Sequence, residues 1–241
     1  MNRLEVIPVP GLPEIHRADD LAGLIADAVR ADGEALRDRD VVVVTQKIVS
    51  KAEGAMVAVD PDDPLSHKPL VERESVRILR RRGELIISET RHGFVCANAG
   101  IDLSNVERGQ AALLPEDPDR SARRIRDGLR GRLGVEVAVI VSDTFGRPWR
   151  RGVTDVAIGS AGLRPVLDLR GTEDAYGREL QVTEVAIVDE IAGAADLVMG
   201  KATGVPVAIV RGIDPAAFDP SPGRAGVVSD VVRSPAEDLF R

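Results

Sequence analysis

A chain of 241 residues with a formal net charge of -7, 44% hydrophobic and 29% charged residues, has the make-up of a globular protein with room for one large or two small cores. Four Phe, one Tyr and one Trp leave little aromatic surface for stacking on bases, and the acidic balance also counts against nucleic-acid binding. A lone Cys96 excludes an internal disulfide and a thiolate metal cage and fits a reducing cytoplasm. His16, His67 and His92 share no helical spacing, which disfavours a histidine-based zinc site. Residues 1–10 lack the basic start and apolar run of a secretory leader, and no window is apolar enough to span a membrane, so a cytoplasmic protein without membrane partners is expected.

In chain order, Leu4-Glu5-Val6-Ile7 alternates like a strand and runs into a stiff loop with three prolines and a glycine at residues 8–13. A helix is predicted after Asp19 or Asp20, with Leu21, Leu24, Ile25, Ala28 and Val29 on one face. Residues 41–44, all valine, form a buried strand that delivers Thr45, Gln46, Lys47, Ser50 and Lys51 to a strand end, where Lys51 is placed to meet a phosphate as a point charge. After a Pro- and Asp-rich loop at 60–68, Val71, Ser75, Ile78 and Leu79 mark the inner side of a predicted helix with Glu and Arg outside. Short strands follow at 84–87 and 93–98, the second leading into a small-residue turn that presents Asp102 and Asn105. Cys96 sits among apolar neighbours and reads as a buried structural thiol.

Ser121 is placed to cap a helix carrying Ala122, Ile125, Leu129 and Leu133 and ended by Gly134. The run 137–141, Val-Ala-Val-Ile-Val, is a buried strand that stops at Ser142-Asp143-Thr144 and gives way to a loop bearing Arg147, Arg150 and Arg151. A carboxylate at a strand end followed by three guanidinium groups suits a metal ion held together with anionic oxygens; a strand end with a solvated basic turn is the plainer alternative. A polar turn at 171–179 precedes a long amphipathic helix with Val188, Ile191, Ala192, Ala195, Val198 and Met199 at core spacing, and residues 205–210 form a last buried strand.

Familiar nucleotide motifs are missing: Gly200-Lys201 is followed by Ala202, so there is no P-loop, and no strand leads into GxGxxG. The residues by themselves describe a mixed α/β enzyme with two Asp-bearing strand ends, a lysine-bearing strand end and an arginine loop. That set suits phosphate and metal chemistry without naming a substrate.

Six blocks, VPGLPEI at 9–15, VVVVTQKIVSKAEG at 41–54, CANAGIDLSN at 96–105, SDTFGRPWRRG at 142–152, DAYGREL at 174–180 and DEIAGAADLVMGKATG at 189–204, closely resemble the coenzyme F420-0:L-glutamate ligase family. The resemblance covers essentially the whole chain, residues 1–241, as one ligase domain with an uncertain internal boundary. It implies a two-lobed mixed α/β fold, an intertwined homodimer, and joining of the F420-0 carboxylate to the amine of L-glutamate with GTP and a divalent metal, further glutamates following. Activation would run through an acyl phosphate. The metal, Mg2+ or Mn2+ with K+ as a further candidate, would lie against Asp102, Asp143 and Thr144. Nucleotide contacts would fall on Leu12, Pro13, Glu14, Ile15, Gln46, Lys47, Lys51 and Asn105, and on the loop Met199, Gly200, Lys201, Ala202, Thr203, Gly204 and Val205. Asp102, Asp143 and Lys51 would carry the catalysis, with Arg147, Arg150 and Arg151 on the anionic tail of F420-0.

Two departures stand out. Archaeal members carry an acidic metal ligand after Met-Gly where this sequence has Lys201, so one metal is expected to be held differently or replaced in part by the lysine charge. Many actinobacterial relatives continue past a segment like Glu237-Asp238-Leu239-Phe240 into a flavin-dependent reductase domain that does not follow here, so ligation without reduction is expected. A relative acting on another acid, or a nucleotide-binding module without catalysis, is the alternative. The runs 41–44 and 205–210 lack obvious polar cover, which together with the resemblance predicts an apolar dimer interface.

Overall fold

A computed structural model describes residues 3–219 and 225–238; Leu239 and Phe240 of the tail segment lie outside the described residues. The first half of the chain forms β1 (Glu5–Pro8), α1 (Leu21–Ala31), β2 (Val41–Thr45), α2 (Gln46–Glu53), β3 (Met56–Ala58), α3 (Lys68–Glu74), β4 (Ser75–Arg82), β5 (Leu85–Thr90), β6 (Val95–Ala97) and β7 (Gln110–Ala112). The second half adds α4 (Pro118–Leu133), β8 (Ala138–Gly146), β9 (Val153–Ala161), β10 (Leu167–Asp168), β11 (Glu184–Val185), α5 (Ile187–Met199), β12 (Val207–Arg211) and α6 (Val227–Asp230). No helix among the described residues is long and apolar enough to cross a membrane.

The organising layer is a mixed five-stranded sheet in the order β1-β12-β2-β8-β9, in which only β2 and β8 run parallel. Val41, Val42, Val43 and Val44 are fully inaccessible, as are Val207, Ala208, Ile209 and Val210 on β12, so both faces of the central strands are covered. Near-continuous β-branched runs of this kind fit a sheet buried on two sides. Helices α1 and α4 pack on each other and α4 on β8 and β9, while α5 lies along β1, β12 and β9. The last strand begins at Val207, not at Val205, which borders a cleft; residues 41–44 and 207–210 are therefore inside the chain's own core, and they cannot form the expected apolar dimer interface.

Two glycines make this packing possible. A Cβ at Gly159 of β9 would come within 2.3 Å of the Pro118 backbone at the start of α4, and one at Gly128 within 2.5 Å of the Ala22 methyl, so α4 approaches both β9 and α1 closely. Asp117 caps α4, accepting from the Arg120 amide at 2.8 Å, with Pro118 in the first turn. The helix thus starts before the predicted cap: Ser121 lies inside it and donates to Glu53 and to the Asp117 carbonyl.

A second, smaller cluster of Val71, Ile86, Ala99, Ile101 and Ala111 lies under the three-stranded sheet β4-β5-β6 and α3. The structure corrects the long helix expected over this region. Helix α3 ends at Glu74, Ser75 turns extended with ψ 125, and residues 75–82 pair with β5. Cross-strand contacts override the charge pattern, Arg77 reaching Glu89 and the Ser75 hydroxyl meeting that of Ser88.

Candidate functional site

Where β2 ends, the chain turns at once into a helix. Thr45 is extended, Gln46 opens α2, and Lys47 and Lys51 fall one turn apart on the same face. The expected strand end bearing lysines is thus a short helix, with Lys47 in its first turn, where free amide groups and the positive dipole end suit an anion, and Lys51 in its last turn. The Gln46 amide nitrogen does not point to a ligand; it donates to Ser50 Oγ at 2.7 Å and to the Leu113 carbonyl at 2.8 Å, fastening α2 to the segment after β7.

Beside it, β8 does not stop at Ser142. The strand continues to Gly146 in antiparallel pairing with β9, with an irregularity at Val141/Ser142 where Ile158 is left over on β9. Beyond that point Thr144 stands opposite Asp155. Strand alternation separates the side chains that follow. Ser142 and Thr144 donate to the two oxygens of Asp155 at 3.1 and 2.7 Å, while Phe145 turns towards Phe94 in an edge-on contact.

Asp102 arrives not from a strand but from an isolated bridge to Ala112. Its Oδ1 accepts from the Ser104 amide at 2.7 Å, and its Oδ2 accepts from Lys47 Nζ at 2.7 Å and Ser104 Oγ at 3.1 Å. Burial pushes the Asp102 carboxyl up, but the Lys47 and Ser104 hydrogen bonds outweigh it and hold the group below the usual range. Asp143 is pushed up to about 7: burial dominates, and the carboxylates of Asp102 and Asp155 reinforce it. Burial also pushes the Cys96 thiol up to about 12, with Asp143 adding to the effect, in keeping with an inert structural cysteine.

These groups border one cleft of about 710 Å³. Its walls include Leu12, Pro13, Glu14 and Ile15 from the proline loop, Gln46, Lys47 and Lys51 from α2, Asp102 and Asn105, Asp143 and Thr144, and Gly200, Lys201, Ala202, Gly204 and Val205 after α5. Asn105 ties two of these walls, its amide donating to the Lys201 carbonyl at 3.3 Å. Lys51 pairs with Glu14 at 2.5 Å. Met199 and Thr203 are not on the lining: Met199 is core, and the Thr203 hydroxyl caps the Met199 carbonyl. Arg147, Arg150 and Arg151 stand outside the cleft in the exposed loop between β8 and β9, where Arg147 Nη2 donates to the Arg151 carbonyl at 2.8 Å.

Asp155 is the cleft residue that sequence reasoning missed. It is 2% exposed, and Lys201 Nζ donates to it at 2.7 Å while also lying 3.1 Å from Asp196. Burial opposes the charge on Lys201, yet its hydrogen bonds to Asp155 and Asp196 raise its pKa. The signal was present in β9, where a single acidic residue falls between Thr154 and Val156 at the start of the run Val156-Ala157-Ile158, at a position whose alternation shares a face with buried Ala157.

Among the described residues, no three His, Cys, Asp or Glu side chains converge as a metal cage. The donor set nevertheless fits a hard divalent ion: Asp102 and Asp143 supply oxygens at one cleft, and burial, reinforced by the neighbouring carboxylates, makes an ionised Asp143 costly without a cation beside it. Mg2+ is characteristically bound by one or two carboxylates with water and phosphate oxygens completing the shell.

The matches to known proteins span these same walls. Residues 11–212 match the F420-0:Gamma-glutamyl ligase family. The chain is 48% identical over 224 residues to the coenzyme F420:L-glutamate ligase of Methanothermobacter thermautotrophicus, covering 87% of this chain and 89% of that protein. The ligase of the same name from Methanopyrus kandleri is 44% identical over 256 residues, covering 99% and 98%, and that from Archaeoglobus fulgidus 40% over 253, covering 99% and 97%. From the proline loop to the end of β12, the chain belongs to the F420-0:Gamma-glutamyl ligase family.

Proposed function

We propose that this chain joins L-glutamate to coenzyme F420-0 in coenzyme F420 biosynthesis, with GTP as phosphoryl donor, and then adds further glutamates. The relatives, each a coenzyme F420:L-glutamate ligase by name, support the substrates. The observation that carries the chemistry is the convergence of Lys47, Lys51 and Lys201 with Asp102, Asp143 and Asp155 in one cleft.

A carboxylate does not condense with an amine in water without activation. Transfer of the γ-phosphoryl group to a carboxylate oxygen of F420-0 forms an acyl phosphate and releases GDP. Attack by the glutamate α-amine then forms the amide bond, and inorganic phosphate and a proton leave. Lys47 and Lys51 present two positive charges from one helix face to the polyphosphate, and the start of α2 adds its amide groups. Asp102 and Asp143 would hold Mg2+ or Mn2+, which would supply charge compensation across the phosphates, with K+ a further candidate; the Thr144 hydroxyl, expected as a third ligand, is engaged with Asp155 and Lys201 instead. Arg147, Arg150 and Arg151 reach the anionic tail of F420-0 from the β8–β9 loop. The reading includes a two-lobed, intertwined homodimer working in the cytoplasm.

Incubating the chain with GTP, Mg2+, L-glutamate and F420-0 tests it. The expected result is GDP together with a product heavier by one glutamyl residue. GDP formation only with a different acid would reassign the substrate, and nucleotide binding without turnover would point to a regulatory module.

A further inference from the structure

Lys201 differs from the other cleft lysines in where its charge goes. Its ammonium donates to Asp155 Oδ1 at 2.7 Å and to Thr144 Oγ1, and it lies 3.1 Å from Asp196 Oδ1, so it joins β9, β8 and the last turns of α5. An ammonium has three N–H donors, and here each has a protein oxygen. Asp155 is nearly inaccessible and also accepts from Ser142 and Thr144. A buried carboxylate of this kind requires a cationic partner. The acceptors are two carboxylates and a hydroxyl, the hard oxygen donors that a divalent ion prefers.

We propose that the Lys201 ammonium is a tethered cation filling a second cation position formed by Asp155, Asp196 and Thr144, so that the enzyme recruits one dissociable divalent ion, at Asp102 and Asp143. This rests on the reading of the cleft as a divalent-metal centre. Four carboxylates, Asp102, Asp143, Asp155 and Asp196, face the ammonium groups of Lys47 and Lys201. With Lys201 in place its three donors are spent on Asp155, Asp196 and Thr144; on the other side Lys47 reaches Asp102, and among the described residues no side-chain hydrogen bond is made to Asp143, which stays open to a dissociable ion. Without it, two carboxylates and Thr144 are left with no positive partner and become a vacant set of hard ligands.

The test uses Mn2+ alone, titrated into the full nucleotide-free chain, with free ion followed by electron paramagnetic resonance. Wild type should take up one Mn2+ per chain, Lys201→Ala two, and Lys201→Arg, which keeps the charge, one. If Lys201→Ala fails to fold by circular dichroism, Lys201→Gln retains a donor to Asp155 and should also take up two. Equal uptake by wild type and the neutral variants overturns the assignment of Lys201 while leaving the metal centre standing. No uptake by any of the proteins overturns both.

Discussion

Asp143 is under opposing demands: it is pushed up to about 7 by burial and by neighbouring carboxylates, yet it is proposed to hold a metal as a carboxylate. The folded pKa lies above the ordinary 3.8, so in the metal-free protein its contribution to stability is fully present below about pH 4 and is lost as pH rises through about 7. The rise from 3.8 to about 7 caps that loss at about 4 kcal/mol. Asp143→Asn keeps the shape and removes the titration. Metal-free Asp143→Asn should therefore melt at higher temperature than wild type, with a gap that widens between pH 5 and pH 8, while ligase activity falls by orders of magnitude. A pH-independent gap in calorimetry would mean that Asp143 is ionised without strain.

At the scale of elements, the junction of α4 with β9 is fixed by the absence of a side chain. Gly159→Ala would set a methyl against the Pro118 backbone, which cannot rotate away, so helix and strand must separate. Overpacking of this sort costs about 1–3 kcal/mol or more, which should appear as a lower denaturant midpoint with an unchanged slope. Asp155 lies on the same strand, so the shift should also reduce activity. The β8–β9 loop carries a separate expectation. If its arginines hold the F420-0 tail, Arg150→Ala should raise the KM for F420-0 more than that for GTP. Equal effects on both would assign the loop to scaffolding, as would the absence of any effect.

For the whole molecule, the dimer expectation survives only with a different surface. The valine runs of β2 and β12 are enclosed by the chain's own helices. Exposed apolar side chains instead gather on the three-stranded sheet, with Val76 and Ile78 on β4, Leu85 on β5 and Val95 on β6. Light scattering at micromolar concentration should give twice the chain mass, and Val76→Lys should lower it if this sheet is the contact. A monomeric mass for wild type would exclude the dimer.

Much of this was written into local sequence. Asp20, Gly134 and the spacing of Leu21, Ile25 and Val29 marked helix ends and faces because caps and amphipathic period are short-range properties. The valine runs identified the central strands because burial on both faces demands continuous apolar sequence. The family was legible for the same reason, since its blocks are contiguous stretches of chain. Residues 75–82 were not legible: their extended form depends on β5, and the arginine-rich pattern alone fits a helix face equally well. Nor was the partner of Lys201, which lies 46 residues away in sequence on β9. Local sequence determined which residues could do phosphate chemistry; only tertiary structure decided that Asp155 joins them and that Lys201 answers its charge, because a buried carboxylate's partner is chosen by the pairing of strands and not by spacing along the chain.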